Sequence, residues 1–279
     1  MSPPGSRWIG PAAIVVLLAA CSIAPPAAIA PVPTNPSLPA ATPVLAAGPE
    51  TIVGIGALDR PRQPSMPATF RAALIADHCV DRDLPAPPVA DPVLVVLDRS
   101  YALSADYEPD DLVPASAAGM TGTSGSELVR AALVDDLAEM ASAWEAAGLT
   151  IAIESGYRSF AGQAATFDSW VARLGHSEAV NRAARPGHSE HQLGTALDLT
   201  SPGWSGRFGD WAVESAEGAW MAAHGWEYGF VMSYPAGSQD ETCFSYEPWH
   251  YRWIGREAAA EQHESGVELR RFLERYVGE

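Results

Sequence analysis

The strongest periodic signal in the chain lies after Ser126, in "SELVRAALVDDLAEMASAWEAAGL". There Leu133, Leu137, Met140 and Trp144 recur at i, i+4, i+7 and i+11, and Gly148 follows. That spacing predicts an amphipathic helix with Ser126 as N-cap and Gly148 as its stop. The run "PVLVVLD" (92–98) reads as a buried strand, and "LTIAIES" (149–155) as a second strand. Further helices are predicted over Phe160–Leu174, Ser177–Ala184 and Asp210–His224, and around Phe70–Ile75. Strands are predicted at "GTALDL" (194–199) and "HYRWI" (250–254), and residues Arg256–Val277 form a helical stretch broken near Gly266. Helices and strands intermingle without a regular β-α-β alternation. The expected class is therefore α+β, one compact domain over 56–279 built on a central antiparallel sheet flanked by helices.

Before that domain the pattern changes. The opening "MSPPGSRWIGPAAIVVLLAACS" has Arg7, then the apolar run Ile9–Ala20, then Leu-Ala-Ala-Cys ending at Cys21. The run is short for a membrane span and fits an export signal. Its ending resembles the lipobox of bacterial lipoproteins. The resemblance implies cleavage before Cys21, lipid on its sulfur, and a protein held on the extracytoplasmic face of the membrane. A plain secretory signal is the other reading. Residues 22–55 begin with a Pro/Ala-rich stretch free of period and read as a tether.

Composition narrows the partners. The 279 residues are 47% hydrophobic, enough for one sizeable core, and carry a formal charge of −17 with arginine as the only strongly basic residue type. Such a chain is a poor ligand for nucleic acid or for an anionic surface. Besides Cys21 there are only Cys79 and Cys243. In an exported chain that pair suggests one disulfide, with metal ligation or two free thiols as the alternatives.

Three segments carry candidate chemistry: "SGYRSFAGQ" (155–163), "SEHQLGTALDL" (189–199) and "EPWHY" (247–251). They supply His191, Asp198 and His250, with Glu247 to spare. Two imidazoles and a carboxylate are what a catalytic zinc takes, and a further carboxylate can serve as base. Spacing alone is weak support, since His-x6-Asp and Glu-x-x-His are common in unrelated chains. The flanking residues add more. "SEHQLGTALDL" matches Ser-x-His-x-x-Gly-x-Ala-x-Asp, and "EPWHY" resembles a Glu-x-Trp-His segment. "SGYRSFAGQ" resembles Ser-Gly-Tyr-Arg-Ser-x-x-x-Gln, and "LSADYEPDDLVP" a segment further upstream. All four occur in the family's order, over roughly 92–255, and together they resemble the VanY-type zinc D-alanyl-D-alanine carboxypeptidases of peptidase family M15. That fold group also holds lysostaphin-type endopeptidases and the hedgehog signalling domain.

The resemblance implies one Zn2+ held by His191, Asp198 and His250, Glu247 as catalytic base, and Arg158 beside the scissile carbonyl. Ser189, Tyr157 and Gln163 become candidate contacts for the substrate, a peptidoglycan stem peptide ending in D-Ala-D-Ala. The expected protein is a monomer that removes the terminal D-Ala. A D,D-dipeptidase, a wall endopeptidase or a non-catalytic zinc-containing binding module are the alternatives. A serine mechanism is excluded, because Ser-x-x-Lys needs a lysine and the chain has none. His188 reads as a solvent-facing loop residue, and His78, His176, His224 and His263 as surface or packing residues. Trp249 is either core or cleft lining.

Overall fold

A computed structural model describes residues 78–120 and 122–278, all within the unit spanning Arg60–Glu279. The export segment with Cys21, the tether and the helical candidate near Phe70–Ile75 lie outside the described residues.

Two small strand pairs come first. β1 (Leu84–Pro85) pairs in parallel with β2 (Tyr101–Ala102), and β3 (Leu112–Pro114) pairs antiparallel with β4 (Leu128–Arg130). The central sheet has four strands: β5 (Ala152–Ser155), β6 (Ala196–Thr200), β7 (Phe230–Met232) and β8 (His250–Trp253). Their order is β5-β6-β8-β7, antiparallel throughout. Successive side chains of a strand point to opposite faces. Leu197 and Leu199 of β6 and Tyr251 and Trp253 of β8 therefore share one face, where they join the main apolar core. Asp198, His250 and Arg252 point to the other.

Helix α1 (Val134–Ala146) covers the apolar face. Leu133, Leu137, Met140 and Trp144 are all buried, so the stripe read from the sequence is the packing face. Its start is later than predicted. Leu128–Arg130 forms β4, with Val129 fully buried against β3, because pairing and burial there outweigh helix propensity. Helix α2 (Phe160–Leu174) has the predicted limits, and Ser159 caps it by accepting from the Gly162 amide at 3.1 Å. The predicted 177–184 helix is only a turn at His176–Ala179.

The predicted strand at 92–98 is buried but is not a strand. Pro92–Leu94 is a 3₁₀ turn capped by Asp91, and the segment continues without a ladder. The carbonyls of Val93 and Val95 that a neighbouring strand would have satisfied instead accept from Arg252 Nη2, at 2.8 and 2.7 Å.

The predicted Asp210–His224 helix breaks at Ser215, whose backbone is extended. Its Oγ accepts from the Gly218 amide and starts α3 (Ala216–His224). Gly218 sits so close to the break that a Cβ there would lie 2.5 Å from the Trp211 carbonyl oxygen. After β8, α4 (Arg256–Ser265) stops at Gly266 with φ 61°, the expected break, and α5 (Leu269–Leu273) follows.

Candidate metal centre and active site

Strand register builds the site. Asp198 of β6 faces His250 of β8 across one ladder and Ser155 of β5 across the other. Just before β6, Ser189 opens a 3₁₀ turn over Glu190–Leu193 that lifts His191 above Asp198. Gly194 ends the turn with φ 73°, and a Cβ there would press on Leu112 and Arg130.

The ring nitrogens are assigned by their partners. His191 Nδ1 lies 2.7 Å from the Gly156 carbonyl oxygen, which can only accept, so Nδ1 carries the proton and Nε2 is the open nitrogen. That Nε2 is 3.1 Å from Asp198 Oδ2. His250 Nε2 lies 2.9 Å from Glu190 Oε2, so Nδ1 is the nitrogen turned to the cleft, 3.0 Å from Asp198 Oδ1. One atom from each of His191, Asp198 and His250 falls within 4.8 Å of the others. Donors around a tetrahedral zinc at 2.0–2.2 Å stand about 3.4 Å apart. The three residues could therefore hold such an ion with small side-chain adjustments, and imidazole with carboxylate is a donor set that zinc accepts.

Glu247 Oε2 is 3.9 Å from His250 Nδ1. Burial, with the negative charges of Asp198 and Glu190 added, pushes the Glu247 carboxyl up to about 8, against the pull of His250 and Arg158. That value suits a group that must both take and return a proton near neutral pH. Burial works against charge on His250 too, but hydrogen bonds to Asp198 and Glu190 outweigh it and raise the imidazole to about 10. Burial lowers His191 below its ordinary value. Asp198 is held well below the carboxylate range by His191 and His250, which together overcome its burial.

Arg158 Nη2 approaches Asp198 Oδ2 at 3.6 Å. It donates to Ser155 Oγ at 2.7 Å, while Nη1 donates to Gln163 Oε1 at 2.8 Å. Gln163 is buried, and its Nε2 donates to the Ala184 carbonyl. Read as a substrate contact from the sequence, Gln163 lines the cleft and also braces Arg158. Ser189 lines the cleft, as expected of a contact. Tyr157 does not reach it. The backbone bond of Tyr157 to Leu128 turns the phenol to Glu108, to which its hydroxyl donates at 3.2 Å.

The cleft over the centre measures about 180 Å³, and Trp170 and Trp249 lie along its walls. Trp249, half-buried, thus lines the cleft and also packs against the main apolar core. His188 is corrected as well. It is 1% exposed, with Nδ1 2.7 Å from the Asp98 carbonyl and Nε2 3.1 Å from Asp83. The remaining histidines have partners as surface or packing residues: His78 with the Glu241 carbonyl, His176 edge-on to Phe167, His224 with Glu227, and His263 stacked on Trp226.

Comparison with known proteins places this geometry. The sequence profile of the VanY family, D-alanyl-D-alanine carboxypeptidase, matches residues 126–256. YodJ, a protein of Bacillus subtilis assigned as a carboxypeptidase, is 33% identical over 66% of this chain and 67% of its own. The chain belongs to the VanY family. A D-alanyl-D-alanine carboxypeptidase of Enterococcus faecalis is 28% identical over 64% of this chain and 65% of its own length. Among solved structures, the LdcB LD-carboxypeptidase superposes with a TM-score of 0.60 at 29% identity, over 70% of this chain and 98% of LdcB. A variant of the vancomycin-resistance D,D-pentapeptidase VanY in complex with Zn(II) gives 0.55 at 27%, over 66% and 99%. Membership of this family makes the protein a zinc metallopeptidase, which retires the non-catalytic alternative.

Sequence reasoning missed the residues behind the centre. Glu190 accepts from Ser233 Oγ at 2.6 Å and from Arg252 Nη1 at 2.8 Å, besides its bond with His250. Its burial would raise its carboxyl, but Arg252, His250 and Ser233 outweigh that and hold it at about 2. The only trace in the sequence is an acid directly before His191, a candidate ligand. Tyr234, half-buried and 4.9 Å from the His250 ring, was also missed.

Proposed function

We propose that the protein removes the terminal D-Ala from peptidoglycan stem peptides ending in D-Ala-D-Ala. In this reading His191, Asp198 and His250 are the zinc ligands, Glu247 is the catalytic base and Arg158 stands at the scissile carbonyl. The observation that carries it is the convergence of His191, Asp198 and His250, with one donor atom of each within 4.8 Å of the others and Glu247 Oε2 3.9 Å from His250 Nδ1. Zinc, when bound, supplies Lewis acidity that lowers the pKa of a water to about 7 and polarises a carbonyl. Glu247 takes the proton of the attacking water as its oxygen bonds to the carbonyl carbon. The same carboxyl gives that proton to the departing amine as the C–N bond breaks. Arg158, fixed by Gln163 and Ser155, meets the negative charge that develops on the carbonyl oxygen.

An exported, lipid-anchored monomer at the outer face of the membrane fits the Leu-Ala-Ala-Cys sequence at Cys21. It also fits the Cys79–Cys243 disulfide, a bond suited to an oxidising compartment. Loss of membrane association in Cys21→Ala checks the anchor, and sedimentation of the soluble domain checks the monomer.

The similarity to LdcB favours a second reading, an L,D-carboxypeptidase acting on tetrapeptide stems. Product identification on defined peptides separates the readings. The first expects zinc-loaded protein to convert a pentapeptide stem to a tetrapeptide plus D-alanine, sparing the tetrapeptide, free D-Ala-D-Ala and cross-linked dimers. Preferential cleavage of the tetrapeptide would replace it with the second. Cleavage of the dipeptide or of cross-links would make the protein a D,D-dipeptidase or an endopeptidase.

A further inference from the structure

Two arginines line the cleft. Arg158 lies at the metal end beside Asp198. Arg182 stands on a different stretch of chain, after the His176–Ala179 turn, and shares the lining of the cleft with Trp170 and Ala183. We propose that Arg182 is the point at which the cleft recognises a carboxylate of its substrate; this rests on reading the cleft as a peptidase site.

Arg182 is half exposed, and its side chain meets one protein acceptor among the described residues. Nε lies 3.3 Å from Glu178 Oε1, an equally exposed i,i+4 partner. Such a pair is weak and screened by solvent. The paired edge of Nη1 and Nη2 is left for a ligand, and a planar guanidinium edge matches a carboxylate with two parallel hydrogen bonds. The wall that carries it is held firmly. Phe167, Ala179 and Val180 form a small apolar cluster of their own beneath it. The Asn181 carbonyl accepts from the Ser245 amide at 3.0 Å, two residues from the Cys79–Cys243 disulfide.

Charge balance points the same way. Asp198 and Glu247 lie in the cleft and the chain carries −17 overall, so a further fixed cation on the wall favours entry of an anionic peptide end. Two parts of a stem peptide could supply the carboxylate: the free C-terminus, or an acidic side group on the residue before D-Ala-D-Ala. The first would make Arg182 a determinant of carboxypeptidase over endopeptidase action.

The test measures peptide affinity by calorimetry on zinc-loaded Glu247→Ala protein, with and without Arg182→Gln or Arg182→Lys. The probes are N-acetyl-X-D-Ala-D-Ala with X lysine or glutamate, each as free acid and as C-terminal amide. Arg182→Gln should weaken the recognised acid about tenfold or more and leave its neutral counterpart unchanged, and Arg182→Lys should recover part of the loss. A loss confined to free C-termini assigns the terminal carboxylate, and one confined to glutamate assigns the side group. An equal effect on all four peptides, or none, overturns the proposal. D-alanine release by the parent enzyme is scored separately. Its absence would sink the function proposed above, while the binding comparison still decides for Arg182.

Discussion

Glu190 Oε2 lies 2.9 Å from His250 Nε2, with both side chains buried and Asp198 at the opposite ring nitrogen. The carboxylate fixes which nitrogen of His250 faces the cleft, and Arg252 and Ser233 fix the carboxylate. Outer contacts of this kind orient a ligand and raise its basicity. Glu190→Gln should lower zinc affinity about 10–100-fold in chelator competition. Unchanged affinity would show that Glu190 does not hold His250 for the metal.

Arg252 joins the centre to the fold. It is fully buried, donates to Glu190, and satisfies the carbonyls of Val93 and Val95. Arg252→Leu takes the cation from a buried carboxylate and the side-chain donor from two carbonyls, so it should cost about 3–5 kcal/mol in urea denaturation. A loss under 1 kcal/mol would contradict this role.

Without zinc, stability should fall as pH rises. His250, raised to about 10, contributes stability that is complete below its unfolded value of 6.5 and is lost as pH climbs through 10. Glu247, raised to about 8, and Glu268, raised by burial to about 7, bind protons more tightly folded than unfolded, so both cost stability above pH 4.5. Glu190 acts oppositely, its contribution being present above 4.5 and lost toward pH 2. The chelated protein should therefore melt at its highest temperature near pH 4.5–5 and progressively lower toward pH 9. A flat or rising profile in thermal scans would contradict the assignment.

The Cys79–Cys243 bond closes a separation of 164 residues. Its removal in Cys79→Ser with Cys243→Ser should destabilise the domain by about 4–5 kcal/mol on chain-entropy grounds. Denaturant titration of the two forms measures it.

The residues that carry chemistry were legible because their types are constrained. Only a few side chains bind zinc, and His191, Asp198, His250 and Glu247 converge as the motifs imply. Helices α1 and α2 were legible through periodicity and, for α2, its serine cap. What escaped depends on partners distant in sequence. The buried run at 92–98 looks like a strand until Arg252, more than 150 residues later, claims its carbonyls. His188 looked exposed because nothing nearby announces Asp98 and Asp83 as its partners. Tyr157 matched a motif but faces Glu108, since one step along the backbone turns it from Arg158's side. Glu190 was hidden by its neighbour, His191.

In the proposed mechanism Glu247 moves the proton at a centre built on His191, Asp198 and His250. The direct measurement is D-alanine release from a D-Ala-D-Ala-ended pentapeptide by the parent protein and by Glu247→Gln, each matched for zinc content by metal analysis. The parent should release D-alanine in a way that chelators abolish and penicillin spares, and the variant should show a kcat about 10²–10⁴-fold lower. Equal rates at equal zinc would contradict it.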